Sequence, residues 1–251
     1  MQKTLATLAA ATTLLLLTAC GGGGDDSKSS ATGGSTATTD QSDNVTATDS
    51  QVMADVKSSN IDFVSTNRPA GTWRWSGTPQ QHVRVYIPAP ASGNTTEQDY
   101  ANKAKTSIAT INAKLTGLLV LEATDSTPTD GSNYIRVSYG MSYVPAGSTS
   151  YQNYCANVST APSVGNVIQP DSQNGIASNP VYLNLGNGHC DVTQDIVTHE
   201  FGHALGLASH FNGFGGDGPS ISTAFWDVLA TLYSNPQSTP ASSLIVKRAA
   251  N

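Results

Sequence analysis

The chain has 251 residues, of which only 12% are charged, and a formal net charge of −6. That balance, with no run of Lys and Arg, argues against nucleic acid or any other polyanion as a partner. The 38% hydrophobic content suffices for one sizeable core, while Ser, Thr, Asn and Gln take over the solvated faces.

Residues 1–20 read as a targeting segment. Lys3 supplies a positive start, the stretch from Leu5 to Leu17 is largely apolar, and the run is too short to span a bilayer. Leu17-Thr18-Ala19-Cys20 has the form of a bacterial lipoprotein cleavage box, which would leave Cys20 as a lipidated first residue. Gly21 at the next position fits the outer-membrane type. The expectation is an exported protein, lipid-anchored to the bacterial cell envelope, with its domain facing the periplasm or the exterior and its lipid as the only membrane contact. Residues 21–66 form a tether and lead-in. Up to about residue 50 the composition of Gly, Ser, Thr, Asp and Ala cannot bury enough surface to offset ordering entropy. Val52, Val56, Ile61, Phe63 and Val64 then suit a packed lead-in better than a self-inhibiting propeptide. Residues 67–251 are expected to form one domain, acting as a monomer.

Within that domain His82 to Ile87 alternates and stops at Pro88, which predicts a strand. Asn94 to Thr96 offers a helix cap, and Tyr100, Ala104, Ile108, Ile111 and Leu115 recur at helical spacing as far as Gly117. Residues 118–121 and 134–139 read as two further strands. The stretch 140–178 is long and polar, with weak strand signals near Cys155 and Val167. Residues 181–185 make the last clear strand, and residues 225–233 an amphipathic closing helix. With Cys20 assigned to the anchor, Cys155 and Cys190 remain. In an oxidising compartment they are expected to pair, fastening the approach to the helix that follows Cys190.

That helix carries the chemistry. In Thr198-His199-Glu200-Phe201-Gly202-His203, the two histidines are four apart and leave one helical face a turn apart, so they can share a metal ion. Glu200 can reach a water at that ion without being a ligand. Gly206 offers a left-handed stop, after which the chain can return His210 to the same point. Asp195 reads as a first-turn carboxylate favourable to the helix dipole, Tyr233 as a core residue, and His82 and His189 as ordinary histidines.

The pattern resembles the metzincin zinc proteases, most closely their matrixin-like branch. Those proteins carry H-E-x-x-H-x-x-G-x-x-H and, later, a Met-containing turn beneath the metal. The chain matches at His199, Glu200, His203 and Gly206. It departs in placing Ser209 where the third histidine is usual, with His210 one residue late, and in having no Met after Met141. Ile221 is the expected stand-in for the Met-turn. The resemblance implies an α+β fold: a twisted mixed sheet with a long helix and the motif helix, followed by a small C-terminal subdomain ending in a helix. It implies one catalytic Zn2+ on His199, His203 and His210, Glu200 as general base, and hydrolysis of a protein or peptide laid along a sheet edge within residues 152–169. Asp- and Asn-containing loops leave room for structural Ca2+. Two alternatives stand beside this reading. One is an aspzincin-type protease using Asp217, with Asp227 the other carboxylate available. The other is a catalytically degenerate lipoprotein of metzincin fold that acts as a binding module. A Glu as third ligand is excluded, because none follows Glu200.

Overall fold

The computed structural model describes residues 45–63, 71–76, 81–130, 133–171, 175–177, 179–216 and 220–251. Cys20, most of the tether, Val64 and Asp217 lie outside the described residues. Five strands form one mixed sheet: β1 (Gln81–Tyr86), β2 (Leu119–Thr124), β3 (Tyr134–Tyr139), β4 (Ala156–Ser159) and β5 (Val181–Leu185). Their order is β2-β1-β3-β5-β4, with β4 antiparallel to β5 and all other pairs parallel. With four α-helices, the fold is mixed α+β.

Alternation explains the strands. Val83 and Val85 of β1 and Ile135 and Val137 of β3 are buried, and their neighbours on the opposite face are less so. Between β1 and β2 runs α1 (Thr95–Lys114), whose cap is Asn94: its side chain accepts from the Glu97 N–H at 3.1 Å. Tyr100, Ala104, Ile108 and Ile111 are the buried stripe that packs it on the sheet. Asn112 then brackets Leu121, donating to its carbonyl (2.9 Å) and accepting from its N–H (2.7 Å). The helix is thereby locked to the strand that follows it.

The motif helix, α2 (Gln194–Ala204), lies against α1, β4 and β5. Polar groups fix its seat on α1. Gln194 donates to Ser107 Oγ at 2.8 Å, and Ser107 Oγ meets Thr198 Oγ1 at 2.9 Å. The closing helix, α3 (Thr223–Ser234), is buried along nearly its whole length. Against it packs an early helix, α0 (Asp49–Val56), continued by a π-helical turn at Lys57–Ile61. Val52, Val56 and Ile61 of this lead-in belong to the core. Arg248 ties the C-terminal segment to the closing helix and to the lead-in, donating to Asp227 Oδ2 (2.7 Å), to the Ala47 carbonyl and to Asp49. Among the described residues no helix is long and apolar enough to cross a membrane.

The polar stretch 140–178 contains a 3-10 turn at Tyr151–Tyr154 and then β4, close to the signal at Cys155. Near Val167 the described residues form an isolated bridge between Pro170 and Ile176. Cys155 and Cys190 form a disulfide with Cα atoms 5.8 Å apart. It joins the start of β4 to the segment that enters α2. Opening it in a Cys155→Ser, Cys190→Ser double variant should cost about 2–4 kcal/mol, since the closed loop is long. Urea unfolding of both proteins under non-reducing conditions measures that difference.

Candidate metal centre

Thr193 caps α2 by accepting the Ile196 N–H at 3.2 Å, and from there the helix is progressively buried. His199, Glu200 and His203 are 6%, 4% and 8% exposed, so these polar groups are almost wholly withdrawn from water. The helix ends where the sequence predicts. Gly206 takes φ +109°, and a Cβ there would approach the Trp73 carbonyl to 3.2 Å. The Leu207 N–H turns back to the Gly202 carbonyl at 3.0 Å. Three side chains from distant parts of the chain satisfy the last carbonyls. Trp75 Nε1 donates to Ala204 (2.8 Å), Tyr233 OH to Leu205 (3.0 Å) and Asn60 Nδ2 to Gly206 (2.8 Å).

Beyond the glycine, Ala208 and Ser209 both donate to the Ser59 carbonyl, at 2.7 and 3.4 Å. This detour returns His210 over the helix. His199 Nε2 lies 3.0 Å from His203 Nε2 and 3.0 Å from His210 Nε2. One ligand atom from each of the three lies within 4.8 Å of the others. Among the described residues they are the one group of side chains that could hold a metal ion in this way.

The tautomers follow from the outer partners. His199 Nδ1 faces the Ser220 carbonyl at 3.1 Å, and His203 Nδ1 faces the Leu207 carbonyl. A carbonyl only accepts, so each Nδ1 carries the proton and each Nε2 turns a lone pair inward. Burial, then the neighbouring His210, pulls the His199 imidazole down to about 3. Burial, then His199 and His210, holds His203 well below its ordinary value, and burial lowers His210. The lone pairs of His199 and His203, their nitrogens 3.0 Å apart, repel one another unless a cation lies between them. Bonds of about 2.0–2.1 Å at a tetrahedral angle would place ligand nitrogens roughly 3.3 Å apart, close to the spacing found. The donor set therefore fits a tetrahedral divalent metal, zinc among them.

Glu200 completes the site. Burial pushes its carboxyl up to about 8, and Oε2 has no hydrogen-bond partner. A cavity of about 20 Å³ opens between Glu200, His199, Ile196, Ala156 and Ser220, enough for a water molecule. Its wall includes Cys155, so the disulfide borders the site.

An aromatic platform for the histidines comes from Phe214. Ile221 is buried, but it is the Phe214 ring that stacks on His199 (centroids 4.2 Å, 25° between planes) and lies 4.9 and 5.6 Å from His203 and His210. Phe225 stacks on its far side at 5.1 Å. Small residues make this approach possible. A Cβ at Gly202 would strike the Phe225 ring at 2.6 Å, and one at Gly215 would lie 2.7 Å from His199 Cε1. Phe214→Ala should cost about 3–5 kcal/mol of stability, and Phe214→Met, which keeps most of the apolar volume, less than about 1.5 kcal/mol. Denaturant unfolding of the two variants separates these outcomes.

The remaining candidates lie elsewhere. Asp227 accepts from Arg248 and from the Ala249 N–H at 3.0 Å, so its carboxylate is committed to the C-terminal clasp. Asp195 sits half-buried in the first turn of α2. His82 pairs with Glu122 at 2.8 Å, and His189 stacks on Tyr151. Sequence reasoning missed Phe214, Gly215, Ser220 and Asn60; the run of glycines between 213 and 218 was the one signal of a tight loop there. The chain matches no family model and no curated protein, so the site stands on its own geometry.

Proposed function

We propose that the protein is a zinc-dependent endopeptidase with a metzincin-like, matrixin-type catalytic domain. The observation that carries this reading is the meeting of three Nε2 atoms with a buried carboxylate, one oxygen of which has no partner, beside a water-sized cavity. Zinc held by His199, His203 and His210 would supply Lewis acidity, lowering the pKa of water towards ~7 and polarising a carbonyl. Glu200 takes a proton from water in the cavity and returns it to the leaving amine. Burial raises this carboxyl and a nearby cation would draw it back down, so that near neutral pH it can both take and return a proton. The dry surroundings of Phe214, with Phe225 stacked on it, strengthen charge interactions at the site. β4 is the edge of the sheet, and its first residue, Ala156, borders the cavity. An extended peptide added to that edge would run beside the cavity that Glu200 lines.

Zinc content and hydrolysis of a fluorogenic peptide, measured on the same purified preparation, test the proposal. One equivalent of zinc with zinc-dependent cleavage is the expected result. Zinc without cleavage would make the protein a binding module, and failure to bind any divalent metal would remove the metal centre altogether. The anchor is a separate part of the proposal. Wild-type protein expressed in a bacterial host should fractionate with membranes and Cys20→Ala with the soluble phase; equal partition of the two would remove the anchor.

A further inference from the structure

A second cavity, of about 400 Å³, lies at the carboxyl ends of β1 and β3 and shares no residue with the one beside Glu200. That is within the size range of small-molecule sites. Its position is also favourable. β1 continues to β2 on one side of the sheet and β3 continues to β4 and β5 on the other, so neighbouring connections diverge there and leave a crevice.

The polar wall comes from alternate residues of β3. Arg136 and Ser138 lie on one face, about 7 Å apart along the strand. The Arg136 guanidinium lies over the Tyr86 ring, 5.1 Å from its centroid. Among the described residues it has no hydrogen bond and no carboxylate partner. Ser138 is 8% exposed, lines the cavity, and its Oγ has no hydrogen-bond partner. A buried hydroxyl left in this way costs about 1–3 kcal/mol until something satisfies it. Apolar groups of Pro88, Met141 and Pro162 also line it, and Met141 is exposed.

We propose that this cavity binds a small organic monocarboxylate. The carboxylate lies on the Arg136 fork and accepts from Ser138 Oγ, and the apolar body rests on Met141 and Pro162. Guanidinium geometry matches a carboxylate through two parallel N–H···O bonds. A doubly charged phosphate is disfavoured, because the cavity offers one cation; the Glu97 carboxylate, which also lines it and accepts from the Ala91 N–H, repels any anion and repels a doubly charged one more. A neutral ligand would leave the guanidinium unmatched. The site makes no use of the histidine cluster, so the proposal does not depend on the reading of that cluster.

Hexanoate titrated into the full-length protein by isothermal calorimetry is the test. Saturable binding is expected, at least about tenfold weaker for hexanamide and for Arg136→Gln, with a smaller loss for Ser138→Ala. Inorganic phosphate should not compete. Should Arg136→Gln fail to fold, Arg136→Lys keeps the charge without the fork, and binding at least severalfold weaker is expected. No saturable binding of hexanoate, or equal binding by wild type and the folded Arg136 variant, overturns the proposal. So does binding that survives in the Arg136 variant and disappears when divalent metal is chelated, since the carboxylate would then sit on the histidines.

Discussion

Glu200→Gln should lower peptide hydrolysis by at least about 10²–10⁴-fold while leaving zinc bound. The substitution keeps the shape of the side chain and removes its ability to take a proton. Glu200 projects into the small cavity beside His199 and stands apart from the three converging Nε2 atoms, so occupancy and rate should separate. The structure adds a second readout. A carboxyl pushed up to about 8 by burial, with one oxygen unpartnered, is a liability to the folded state. The amide carries no charge to desolvate, so the metal-free variant should be at least as resistant to urea as wild type. Retained hydrolysis would rule out the proton-transfer role. Loss of zinc would show Glu200 to be a structural part of the centre.

The next largest effect is expected at His210. His210→Ala should weaken zinc by more than the roughly 10–100-fold typical of losing an outer partner of a ligand, and Ser209→Ala should leave affinity nearly unchanged. The imidazole supplies one of the three inward nitrogens, 3.0 Å from His199 Nε2. Ser209 contributes its backbone N–H to the Ser59 carbonyl, and a neutral hydroxyl is outside the usual zinc ligand set. Competition with a chromophoric chelator gives both affinities. Asp217→Ala belongs in the same series, because loss of metal there with retention in His210→Ala would replace the third imidazole by a carboxylate. The late register of His210 has a mechanical basis. Once Gly206 has left helical φ/ψ, the chain no longer keeps a 3.6-residue period, and the extra residue is absorbed where Ala208 and Ser209 are tied to Ser59.

What could be read in advance depended on whether the signal was local. The stripe from Tyr100 to Ile111, the alternation in β1 and β3 and the four-residue spacing of His199 and His203 are fixed by short-range geometry, and the structure places these elements within a residue or two of expectation. β4 was faint because four residues at a sheet edge carry too short an alternation to stand out from a polar loop. The lead-in helix was faint for a related reason: Val52 and Val56 are its only fully buried apolar positions, and their partners on the closing helix lie far along the chain. Phe214 could not be read as the platform at all. Its role depends on a loop folding back through Gly213 and Gly215 at positive φ, and on two glycine positions that clear space for rings.

Asn60 extends the centre much further towards the amino terminus than the motif does. Its side chain holds the Trp73 carbonyl and the Gly206 carbonyl at 2.8 Å each, and accepts the Trp73 N–H at 3.0 Å. A residue 146 positions upstream therefore seals the end of the helix that presents His199 and His203. Where the backbone is cut therefore matters to a helix far along the chain. A cut before residue 49 leaves Ser59 and Asn60 covalently joined to the domain that carries the helix. A cut between residues 63 and 71 breaks that covalent tie, and the carbonyl of Gly206 is then satisfied by a segment held through packing and hydrogen bonds alone.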